Sequence, residues 1–403
     1  MLSENEPLLA RDQGSSELSD EQAVAEDEAL HGTRASETKA FSKYGLWREL
    51  GLFIWAVAAT ATVIVLAVLI QHQQQTSPNN GSKGKPSGKR NLIFMVSDGM
   101  GPASLSMTRS FRQYGGGLPI DDTLVLDQHI IGTSRTRSSS SLVTDSAAGA
   151  TAFSCGKKSY NGAIAMLPDY TPCGTVLEAA KKAGYMTGLV VTTDLTDATP
   201  ACFAAHVYLR VQEDAIASQE VGEHPLGRVV DLMLGGGRCH FLPNFTEGSC
   251  RQDDRDITKL AQEEYGWKYV SNREGFDNLE LGNAAKLPLL GLFAETDIPY
   301  EIDRHKMNDV YPSLDEMART ALKALDAATK DNDKGFFLMI EGSRIDHAGH
   351  GNDPAAQVHE VLAYDRAFAS VLEYLKKSDT EGVVVSTSDH ETGGLAVSRR
   401  KSF

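Results

Sequence analysis

The chain has 403 residues, 41% of them hydrophobic, and a formal net charge of -15. That length supports a large buried core in one or two domains. The acidic balance argues against non-specific binding of nucleic acid.

Residues 1–50 carry eleven Asp/Glu against five Lys/Arg and read as a disordered acidic tail. Within it, ENEPLLA has the form of an acidic di-leucine sorting signal, with Glu4, Leu8 and Leu9 as its elements and a sorting adaptor as its partner. A chance pair of leucines in a solvated tail is the competing reading. Residues 51–70, GLFIWAVAATATVIVLAVLI, form an uncharged run of twenty. As a helix it is long enough to span a bilayer, and it predicts a single-pass signal anchor rather than a cleaved leader. Residues 71–90 are polar and rich in Gly, Ser and Pro, the composition of a flexible linker. The basic residues flanking the run barely favour either orientation. All five cysteines lie after it, as do the sequons at Asn80 and Asn244, so the C-terminal part is expected in the secretory lumen. Cys155 with Cys173 and Cys239 with Cys250 are the candidate bridges. The odd cysteine leaves a thiol that is free or pairs between chains.

From Asn91 onward, short apolar runs alternate with helical patterns. Residues 91–97, 187–193, 229–234, 336–341 and 382–387 are rich in Val, Ile, Leu and Phe and read as strands buried on both faces. Between them, 175–184 predicts a helix stopped by Gly184. Residues 313–330 predict one with a Ser313/Glu316 capping box, and 353–377 one capped by Asp353 with Pro354 in the first turn. This alternation predicts an α/β domain over 91–403, built on a mostly parallel sheet.

Ligands of such sheets bind beyond the carboxyl ends of the strands. The first strand runs into SDGMG with Asp98, and the second into DLTDATPA with Asp197 and Thr199. The fourth ends in EGSRIDHAGH with Glu341, Asp346 and His350, and the fifth in SDHETGG with Asp389 and His390. A single such acid is usually a turn former or helix cap. Acids, histidines and a hydroxyl at four strand ends predict a metal site instead. Mixed Asp and His suit zinc; carboxylates with a hydroxyl suit magnesium. Ser146 lies in VTDSAAGATA, where small residues open a helix and leave room for a phosphate and metals beside the hydroxyl. The plainer reading is that Asp145 or Ser146 caps that helix.

SDGMG, VTDSAAGATA, TDATPACFAAHVYLR, EGSRIDHAGH and TSDHETGG, in this order, resemble the alkaline phosphatases over residues 91–394. With the anchor and tail, the chain is similar to the fungal vacuolar, type II membrane branch of that family. The resemblance implies a three-layer sandwich, a homodimer, and hydrolysis of small phosphate monoesters through a phosphoserine at two Zn2+ and one Mg2+. It makes Ser146 the nucleophile and Arg210 the phosphate clamp. Asp346 and His350 would hold the first zinc, Asp389 and His390 the second, and Asp98 would bridge the second zinc and the magnesium. Thr199 and Glu341 would join Asp98 at the magnesium. Asp197 would orient Arg210 or a magnesium-bound water, and His347 would stand just behind the metals. The other histidines, His206 and His359 among them, match no catalytic position.

The family's first zinc has a further histidine in a motif downstream of the last residue, Phe403. The expectation is therefore a C-terminally truncated domain with an under-coordinated first zinc. Two alternatives follow: a related metal-dependent phosphodiesterase or sulfatase, and an inactive protein that only binds metal or phosphate. The sulfatase pattern is absent after Ser146, and Thr199 with Glu341 favours the phosphatase over the diesterase.

Overall fold

A computed structural model describes residues 43–76 and 88–396, which fall into two compact units dividing after Ser82. Glu4, Leu8, Leu9 and Asn80 lie outside the described residues.

Among the described residues, the first unit has one helix, Lys43–Thr76, of 34 residues. It includes the whole of 51–70 and extends beyond it at both ends. Hydroxyls in its apolar stretch are satisfied within the helix: Thr60 and Thr62 donate to the carbonyls of Ala56 and Ala58, each at 2.8 Å. Phe53, Trp55 and Leu66 are exposed. The side chains at 64 and 67–70 are not among those described. Among the described residues, no helix is long and apolar enough to cross a membrane.

The second unit is built on a seven-stranded sheet. Its strands are β1 (Asn91–Ser97), β2 (Met186–Asp194), β3 (Leu232–Gly236), β4 (Lys268–Val270), β5 (Leu289–Leu292), β6 (Phe336–Gly342) and β7 (Gly382–Thr387). The order is β4-β5-β3-β2-β6-β1-β7, and every neighbouring pair is parallel. β2, β6 and the inner residues of β1 carry apolar side chains on both faces because helices cover both sides. One face packs Ile93, Leu338 and Ile340 against the helices Leu314–Ala328 and Pro354–Lys377. The other packs Leu189, Val191, Phe337 and Met339 with Phe203, Ala217 and Val221.

β7 departs from the expected burial on both faces. It pairs with β1 alone and leaves Val383 and Val385 about half exposed. β3 starts three residues later than expected. Asp231 turns its carboxylate onto Lys181, Arg228 and the Thr187 amide, which holds Val229 and Val230 outside the ladder. The helix signals hold. Ser313 and Glu316 form the capping box, Asp353 accepts from the Ala356 amide, and Gly184 takes a φ of 90° after the helix Val176–Lys182.

Cys155 is bonded to Cys173 and Cys239 to Cys250. Cys202 is free and buried, so of the two fates open to the odd cysteine the protein adopts the unpaired one. Asn244 is exposed.

Candidate active site

The strands that carry the four motifs, β2, β6, β1 and β7, are adjacent in the sheet, so their loops open at one edge. The helix Ser146–Cys155 is delivered to the same edge. Asp145 caps it by accepting from the Ala148 amide at 2.9 Å, and also accepts from the Gly162 amide at 2.8 Å. Capping thus belongs to Asp145, which leaves the Ser146 hydroxyl in the first turn free of that task. Ser146 Oγ donates to Asp98 Oδ1 at 3.3 Å and lies 3.1 Å from His390 Nε2. His390 Nδ1 faces the Glu391 carbonyl at 3.2 Å. In the neutral ring that contact puts the proton on Nδ1 and a lone pair on Nε2, the arrangement of a metal-ligating histidine.

Two of the small residues after Ser146 also serve helix packing. Ala147 and Ala150 pack against Ala198, Ala201 and Cys202 of the helix Ala198–Ala204, so their size sets how closely two helices approach. Gly149 faces the acids: a Cβ there would stand 3.1 Å from Asp389 Cβ. The motif glycine Gly99, at φ 69°, is needed more strictly, since a Cβ there would fall 2.6 Å from Asp346 Oδ1.

Asp389 Oδ1 accepts from the amides of Gly99 and His390. Its Oδ2 is buried with no hydrogen-bond partner, 3.4 Å from His390 Nε2. Asp98, Asp389 and His390 thereby offer three ligand atoms within 4.8 Å of one another. Thr199 Oγ1 is likewise buried and unpartnered; it faces Glu341 without a well-formed hydrogen bond. Ser343 Oγ donates to Glu341 Oε2 at 2.7 Å. Asp346 accepts from Thr392 Oγ1, and its other oxygen lies 3.4 Å from His350 Nε2 on a largely exposed ring.

The electrostatics ask for a cation. Burial first, and then the carboxylates of Asp389, Asp346, Glu341 and Asp197, hold Asp98 well above the usual carboxylate range. Burial pushes Glu341 up to about 8, against the Ser343 hydrogen bond and with the repulsion of Asp197. Orphaned buried oxygens among crowded acids fit a metal centre better than a structural acid cluster. Cys239, His240 and Cys250 also come together, but both sulfurs are spent in the disulfide.

Arg210 stands beside this centre, half-buried. It donates to Asp197 Oδ1 at 2.6 Å, and a second guanidinium nitrogen lies 3.9 Å from Asp145. Asp197 therefore orients the arginine. His347 Nδ1 is 3.1 Å from Asp297 Oδ2, and its Nε2 is 3.9 Å from Asp197, which places it one layer behind the acids.

The alkaline phosphatase family profile matches residues 89–403. The chain belongs to the alkaline phosphatase family. It is 59% identical over 351 residues to the repressible alkaline phosphatase of Saccharomyces cerevisiae, covering 84% of this chain and 62% of that one. It is 50% identical to an alkaline phosphatase of Schizosaccharomyces pombe, covering 93% and 67%. Among solved structures, a mutant alkaline phosphatase of the Antarctic bacterium TAB5, with Mg bound in its M3 site, matches with a TM-score of 0.63. That match has 33% identity and covers 77% of this chain and 81% of the other. The chain thus spans about three fifths of the length of the S. cerevisiae relative.

Within the candidate site, three residues escaped the sequence reading. Ser343 and Thr392 fall inside quoted motifs, but nothing in their type marks them as partners of Glu341 and Asp346. Asp297, which holds His347, follows β5, a strand the sequence reading missed.

Proposed function

We propose that the chain hydrolyses phosphate monoesters with Ser146 as nucleophile, at a centre for two zinc ions and one magnesium ion. The observation that carries this reading is the Ser146 hydroxyl, held at a helix start between Asp98 Oδ1 and His390 Nε2. Asp389 and His390 would hold one zinc with Asp98, and Asp346 with His350 the other. Asp98, Thr199 and Glu341 would hold the magnesium. Bound ions would supply Lewis acidity at the attacking and leaving oxygens and lower the pKa of a hydroxyl or water. Magnesium in the TAB5 relative supports the third position.

Arg210 offers a fork of N–H donors to two non-bridging phosphate oxygens, held in place by Asp197. Ser146 Oγ loses its proton and bonds to phosphorus; the bond from phosphorus to the alcohol oxygen breaks, and the alcohol leaves protonated. Water then attacks the phosphoserine, Ser146 Oγ takes back a proton, and inorganic phosphate departs. Positioning and electrostatics account for the rate in such a transfer. The full chain, supplied with zinc and magnesium at alkaline pH, is expected to turn over p-nitrophenyl phosphate faster than bis(p-nitrophenyl) phosphate. The reverse order would make it a phosphodiesterase.

The proposal extends to location and assembly. The uncharged run 51–70, the two disulfides and the exposed Asn244 sequon support a type II single-pass protein of the vacuolar membrane, glycosylated and with its catalytic unit in the lumen. Family membership supports a homodimer. If the tail binds a sorting adaptor, replacing Leu8 and Leu9 together by Ala moves a tagged chain to the cell surface. Unchanged vacuolar delivery removes the signal from the account.

A further inference from the structure

A second set of ligand-bearing side chains lies outside the centre at Ser146 and shares no residue with it. Glu178 Oε1 is 2.7 Å from His206 Nε2 and 3.0 Å from His224 Nε2. The three ligand atoms lie within 4.8 Å of one another. They open on a cavity of about 650 Å3, lined also by Gln212, Gln219 and Glu223.

Each ligand is braced from behind. Glu178 Oε2 accepts the Thr175 amide at 2.7 Å, as the capping box of its helix requires, which leaves Oε1 for the cluster. His206 Nδ1 faces the Ala165 carbonyl at 3.1 Å, so in the neutral ring Nε2 carries the lone pair. Gln219 clamps the His206 backbone on both sides, accepting from its amide at 2.8 Å and donating to its carbonyl at 3.2 Å. The His224 side chain is 1% exposed, and its Nε2 points at the same glutamate oxygen from the other side.

An ordinary His–Glu hydrogen bond accounts for the His206 contact. It does not account for a second, buried imidazole nitrogen converging on the same carboxylate oxygen. Two imidazoles and a carboxylate open to a cavity are the donor set of a transition-metal site with one position free. Ligand atoms around tetrahedral zinc stand about 3.3 Å apart, so the glutamate oxygen needs to move off the two rings by roughly 0.3–0.6 Å. We propose that Glu178, His206 and His224 form an additional zinc site, with its fourth position open to the cavity.

One contact must change. The Leu226 amide donates to His224 Nδ1 at 3.1 Å, whereas zinc on Nε2 keeps the ring proton on Nδ1. Leu226 is 62% exposed, next to a turn closed by the Gly227 amide on the His224 carbonyl.

The test uses the full chain, stripped of metal, reloaded with Zn2+ and dialysed, beside His224→Asn. Elemental analysis is expected to find one zinc fewer per chain in the variant, with p-nitrophenyl phosphate turnover unchanged. Equal zinc in the two folded proteins overturns the site. If His224→Asn does not fold, anomalous scattering at the zinc edge on wild-type crystals decides. A peak between the three side chains supports the proposal, and zinc confined to the Ser146 centre overturns it.

Discussion

Ser146→Ala is expected to lower p-nitrophenyl phosphate turnover by about a thousandfold or more, equivalent to ~4 kcal/mol of transition-state stabilisation. The change removes one buried oxygen from a helix whose neighbouring positions are already alanine, so the fold is expected to survive it. Arg210, Asp197 and the acids remain in place, so phosphate binding should change far less than turnover. Acid quenching in the presence of labelled phosphate should trap label on the wild type and none on the variant. Label retained on the variant would move the nucleophile elsewhere and leave Ser146 as part of a helix start.

Chelation is expected to abolish turnover, and zinc with magnesium together to restore it. The acids themselves give the reason. Asp98 and Glu341 hold protons they would not hold in water, because burial and like charges penalise the ionised forms. Glu341 titrates at about 8 in the fold, above its ordinary value. Between the two pKa values the metal-free fold binds more protons than the unfolded chain. Its stability therefore falls as pH rises from the ordinary glutamate range through about 8. Cations replace those protons, so the loaded protein should lose most of that slope. Thermal melts of stripped and loaded protein across this range measure the difference; parallel curves would mean the acids do not hold metal.

Much of this was legible from residue order, and what was not has a physical cause. β1, β2, β6 and β7 are long enough, and apolar enough, to be read as continuous runs, and each ends in a motif. β4, with three residues, and β5, a four-residue run with a glycine in it, carry too little pattern to separate from loops. β3 was misplaced because Val229 and Val230 are as buried as strand residues while Asp231 is busy with two cations. Metal-ligand types at strand ends can be read from sequence because the sheet topology brings those ends together. The Glu178, His206 and His224 cluster cannot, since its members come from a helix, a loop and a turn that meet only in three dimensions.

Cys202 gives the molecule a built-in clock. Its thiol is sealed between the helix that presents Ser146 and the helix Ala198–Ala204, with the Ala147 carbonyl 3.3 Å away, and burial pushes its pKa up to about 12. At neutral pH it is neither ionised nor reachable, so it cannot exchange with the two bridges. An alkylating reagent meets it only when those helices part. The labelling rate in native buffer therefore counts the openings of the helix pair on which Ser146 rides, without a mutation.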